Sequence, residues 1–136
     1  TANHTLWAQW TLAETALTPI PVPYTWLDQW QDDIADDEAY EALAKTRGAN
    51  GVTLWESYVA GLIPTNATSR FLITNLVMNG TTIPALDWTP NSETVPEPWT
   101  GTVRVYDIEG KTNLTDDAWV PTDSGTRFFR VKVSMP

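Results

Sequence analysis

Histidine occurs once, at His4, so Ser-His-Asp catalysis would need that single residue as its base. Cysteine is absent, which removes thiolate nucleophiles, disulfides and cysteine metal sites. Paired carboxylates are the remaining catalytic route, because glycoside hydrolysis needs two of them roughly 5–10 Å apart across a cleft. Asp32, Asp33, Asp36, Asp37, Glu38 and Glu41 crowd together, but neighbouring acids on helices are ordinarily solvated surface. No catalytic residue is assigned, and the chain reads as non-enzymatic.

Binding chemistry is better supplied, because 8 of the 136 residues are tryptophan. An indole offers a large apolar face, which can pack on the C–H face of a sugar ring, and an N–H donor at its edge. Trp99 is the ring expected to be exposed: Pro96 and Pro98 flank it and stiffen the loop that presents it. Glu93 and Glu97 lie close in sequence and can accept from hydroxyls, while Arg104 and Tyr106, two apart on one strand, should share a face. The candidate ligand-binding residues are therefore Trp99, Glu97, Arg104, Tyr106 and Trp88. Trp26, Trp30 and Trp55 fall on helical apolar faces, and core packing accounts for them.

A calcium loop of EF-hand type has its frame between Thr46 and Ser57. Gly51 stands at the turn position and Asn50 at a ligand position. Thr46 and Gly48 replace two carboxylates, and Ser57 replaces the bidentate glutamate, so the ligand count fails. The expectation is a loop-helix scaffold without calcium, and no metal or cofactor is assigned.

The elements that must position these residues follow from periodicity and punctuation. A hydrophobic share of 42% over 136 residues is enough for a buried core. Residues 3–10 alternate as a strand, and residues 12–23 end in Thr-Pro-Ile-Pro-Val-Pro, read as an extended connector. Tyr24, Trp26, Leu27, Trp30 and Ile34 fall near helical spacing, and a second helix spans about Asp37 to Lys45. A third begins at the Thr53-x-x-Glu56 capping box and stops at Gly61 and Pro64. From Phe71 the texture turns to short β-branched and aromatic runs at 71–78, 82–88, 102–108, 118–121 and 126–134. These predict one antiparallel sheet system, a small β-sandwich that buries Phe128, Val131 and Val133 or their neighbours.

Two stretches resemble known families. Thr5-Leu6-Trp7-Ala8-Gln9-Trp10 resembles the closing strand of the bacterial surface repeats called InlB B-repeats, with Trp7 in place of the usual tyrosine. Asn50 to Asn66 resembles a line common in secreted proteins of the planctomycete and verrucomicrobial group, similar to half of a dockerin-type calcium repeat; the departures fall on ligand positions. Trp88, Arg104, Tyr106, Asn113, Leu114, Trp119 and the run Arg127 to Val131 resemble the C-terminal domains of the same group. The resemblance implies a C-terminal piece of a larger secreted polypeptide, in a group some of whose members carry glycan-degrading neighbours.

The resulting layout is a terminal strand of a preceding repeat (1–11), a proline-rich linker (12–23), a helical subdomain with the degenerate calcium-type loop (24–66) and a β-sandwich domain (67–136). The fold class is mainly β with a small α-helical N-terminal subdomain. A net charge of −9 disfavours nucleic acid and anionic lipid, and no apolar run approaches the roughly 20 residues of a membrane-spanning helix. The same charge repels acidic polysaccharides, which leaves neutral ones such as β-glucan, mannan or xylan as the consistent partners. The expected function is a non-catalytic, extracellular, cell-surface-associated carbohydrate-binding accessory module for neutral plant polysaccharide. The alternative is a C-terminal structural, sorting or anchoring module. Sequons at Asn3, Asn66, Asn79 and Asn113 are attributed to coincidence in a chain rich in Thr and Asn.

Overall fold

The computed structural model describes residues 13–77, 85–92, 103–122 and 126–135. Helices come first: α1 (Tyr24–Leu27), α2 (Asp37–Lys45) and α3 (Leu54–Ala60). Strands follow: β1 (Leu72–Val77), β2 (Ala85–Thr89), β3 (Val105–Lys111), β4 (Val120–Pro121) and β5 (Phe128–Ser134). The fold is mixed, with short helices leading into small antiparallel sheets. The expected strand at residues 3–10 lies outside the described residues.

Local chemistry explains the helices. The Asp36 side chain accepts from Ala39 N at 2.9 Å to cap α2, and Asp37, Glu38 and Lys45 sit at the ends that the helix dipole favours for their charges. Thr53 and Glu56 form a reciprocal capping box on α3, and Gly61 ends it in the left-handed region at φ 69°. The spacing from Tyr24 to Ile34 predicts a longer first helix than the four residues that form. Beyond Leu27 the turn tightens, with Trp30 N donating to Leu27 O at 2.9 Å, and Asp33 takes a positive φ of 54°. Trp30 and Ile34 nevertheless pack on the core, so their periodicity reported burial rather than helix.

Residues 13–23, expected as an extended connector, fold back on themselves. Thr15 N donates to Val22 O and Tyr24 N to Ala13 O, both at 2.9 Å. Val22 is fully buried. The Glu41 carboxylate, expected on the surface, is buried and accepts from the N–H groups of Ala16 and Leu17. A carboxylate satisfied by backbone donors can leave water at tolerable cost.

The main core gathers Val22, Trp26, Leu27, Ala44, Leu54, Tyr58, Val59 and Met135. Each large apolar side chain so buried stabilises the fold by about 1.5–3 kcal/mol. Met135 follows β5 and reaches back into the helical half, so the helices and strands share this core across the expected boundary at 66/67.

The strands form two antiparallel sheets, β1-β2 and β4-β3-β5. In β5 the alternation puts Phe129, Val131 and Val133 on one half-buried side, while Phe128 turns outward at 38% exposure. Every residue of β1 is exposed. The sheets meet through aromatic rings: Tyr106 of β3 lies 5.4 Å from Trp88 of β2 and 6.2 Å from Phe71.

Candidate functional site

β2 and β3 bring together three of the residues singled out in the sequence. Trp88 stands opposite Ile73 in the β1-β2 ribbon, and Tyr106 stands opposite Val133 on β3. Trp88, Tyr106 and Arg104 line one open pocket of about 470 Å³ with Asn91, Val103 and Val105. The Trp88 and Tyr106 rings are tilted by 43°, and Tyr106 donates its hydroxyl to the Ser92 carbonyl at 3.1 Å. The Trp88 indole N–H is buried and has no hydrogen-bond partner among the described residues. Trp99, Glu97 and Glu93 lie outside the described residues. Asn91 and Ser92 were missed because they lie outside any periodic run and Ser92 takes part through its backbone carbonyl, a group every residue carries.

Arg104 has a second, structural task. Its Nε donates to Val59 O at 2.8 Å and its Nη2 to Tyr58 O at 3.0 Å, so it closes the last turn of α3. Nη1 reaches Ser92 O at 3.4 Å. Burial lowers the guanidinium pKa from its ordinary value, opposed by the neighbouring Tyr106 and Tyr58 hydroxyls. A cation at a helix C-terminus meets the negative end of the dipole. Arg104 is thus a wall of the pocket, held by the helix rather than extended into solvent.

A smaller cavity of about 290 Å³, also lined by Arg104, lies between α1 and α3, with Trp26, Gln29, Trp30 and Ser92 in its lining. Trp26 and Trp30 meet edge to face at 5.4 Å and 64°. The Trp30 indole N–H is also buried without a hydrogen-bond partner among the described residues. A third, more apolar groove of about 580 Å³ runs between α3 and the strands, lined by Trp55, Val59, Phe71, Leu72 and Val133. Trp119 is half-buried with Lys111 at 5.0 Å and Arg130 at 4.7 Å from its ring, which makes it a cation–π partner.

The calcium-type loop is closed by its own hydrogen bonds. Asn50 Nδ2 donates to Ser57 Oγ at 3.1 Å, and Asn50 Oδ1 accepts from Val52 N at 3.0 Å. The two side chains at would-be ligand positions therefore satisfy each other. Gly51 holds a φ of 80°, as the turn requires. Among the described residues no group of three or more His, Asp or Glu side chains could hold a metal ion. No helix among them is long and apolar enough to cross a membrane.

Comparison with known proteins finds no matching family model, no similar curated protein and no similar solved structure.

Proposed function

We propose that this chain is a non-catalytic carbohydrate-binding accessory module, extracellular and associated with the cell surface, that takes neutral plant polysaccharide such as β-glucan, mannan or xylan. The observation that carries the reading is the pocket of Trp88, Tyr106 and Arg104, where an aromatic pair stands beside polar groups. The net charge of −9 is compatible with an uncharged glycan. In this reading the two sheets act as a small sandwich whose aromatic seam, Phe71, Trp88 and Tyr106, forms the floor of the site.

Affinity electrophoresis of the whole chain against soluble β-glucan, mannan and xylan tests the proposal. Retardation by a neutral glycan that Trp88→Ala abolishes supports it. Unaltered mobility in every gel refutes it and selects the second reading, a structural, sorting or anchoring module. That alternative is favoured by β1, which exposes Leu72, Ile73, Leu76 and Val77 together, since exposed apolar patches mark contact surfaces.

A further inference from the structure

We propose that the cavity between α1 and α3 is a second sugar subsite of this module, so that a bound oligosaccharide places one ring against Trp88 and a neighbouring ring against Trp30. This rests on the glycan reading above.

The cavity has the chemistry of a ring-binding site. Its volume of about 290 Å³ lies at the lower end of small-molecule pockets, roughly 300 Å³, which suits one ring rather than an extended ligand. Trp26 and Trp30 meet edge to face, and in that geometry one ring's face is not covered by the other. None of the lining residues is acidic, although the whole chain carries a net charge of −9. The one formal charge in the lining is the Arg104 guanidinium. Acidic side chains have been kept out of this concavity, which favours an acceptor-rich, uncharged guest.

Trp30, half-buried, contributes its ring to the lining, while its Nε1–H is buried out of a guest's reach. Gln29, exposed at the end of the same turn, adds an amide that both donates and accepts. Arg104 lines both pockets. Ser92 O ties that wall together by accepting from Arg104 Nη1 and the Tyr106 hydroxyl. Each pocket sets an indole ring beside polar groups, Trp88 in one and Trp30 in the other. A polymer of repeated rings is the ligand that meets such a duplicated arrangement.

The test is titration calorimetry of the full chain with cello-, manno- and xylo-oligosaccharides from the disaccharide to the hexasaccharide. The parent's affinity should rise with chain length. Trp30→Ala removes the ring, and Gln29→Ala removes the exposed amide. Each should weaken binding of the disaccharide and of every longer oligosaccharide by about tenfold, near 1.4 kcal/mol. If Trp30→Ala does not fold, Gln29→Ala decides alone. Hexasaccharide affinity at the parent's value in the folded variants, with binding still lost in Trp88→Ala, overturns the second subsite and leaves the glycan reading standing. No heat with any oligosaccharide, together with unaltered mobility on every polysaccharide, overturns both.

Discussion

Arg104 Nε donates to the Val59 carbonyl at 2.8 Å, a bond between residues 45 positions apart that fastens the β half of the chain to the end of α3. It satisfies a carbonyl that a helix C-terminus otherwise leaves open, and its bond to Tyr58 O adds a second donor to an oxygen that also accepts from Gly61 N. Arg104→Met keeps the apolar stem and removes the donors, and should cost about 3 kcal/mol of stability. Arg104→Lys should recover less than half of that, because an ammonium cannot reproduce the planar fork. The midpoint of urea unfolding at constant slope measures both, and an unchanged midpoint for Arg104→Met would refute the clamp.

Gly61 faces the same guanidinium. An added Cβ there would stand 3.1 Å from Arg104 Cζ, on a backbone at φ 69°. Gly61→Ala should cost about 1–2 kcal/mol from the left-handed conformation alone. Combined with Arg104→Met, its effect should be less than additive, because the crowded neighbour is gone. A double-mutant cycle with no coupling would contradict this contact.

Met135 is 4% exposed and belongs to the cluster built by the helices. Met135→Ala should cost about 2–5 kcal/mol. Because the core is shared, helix ellipticity and tryptophan fluorescence should report one unfolding transition in both parent and variant. Two separated transitions would show that the helical and β parts fold independently.

The Asn50–Ser57 pair predicts indifference to calcium. Millimolar calcium and excess chelator should give the same thermal midpoint, since an ion that bound only the folded state would raise it. Ser57→Ala removes the acceptor of Asn50 Nδ2 in a fully buried position and should cost about 1–3 kcal/mol. A midpoint that climbs by several degrees with calcium would overturn the reading of this loop.

Tyr58 carries a pH signature. Burial raises its hydroxyl pKa above the ordinary 10.0, Arg104 opposes the shift and Glu14 adds to it. The folded state thus holds this proton more tightly than the unfolded one. The stability tied to Tyr58 is complete below about pH 10 and is lost as pH rises through the folded value. Tyr58→Phe should therefore make the alkaline fall of the melting temperature shallower than in the parent, where Tyr24 and Tyr40 are also raised. An identical slope in the variant would assign the effect to those other tyrosines.

Features whose partners lie within a turn or two were legible in the sequence. The Thr53–Glu56 box and the Gly61 stop close over three or four residues, and the strand regions showed as short β-branched and aromatic runs broken by turn residues. Arg104 and Tyr106 were expected two apart on one strand, but β3 begins only at Val105, and it is the folding of β2 against β3 that puts both in one pocket with Trp88. Composition could not say which acid of the crowd from Asp32 to Glu41 would leave water. Glu41 did so because the N–H groups of Ala16 and Leu17 meet it there. Nor could it say that Arg104 would cap a helix 45 residues upstream or that Met135 would enter the helical core. Local patterns are set by the short-range geometry of the chain, whereas burial and long-range hydrogen bonding depend on which distant surfaces meet, and that is decided only when the whole chain packs.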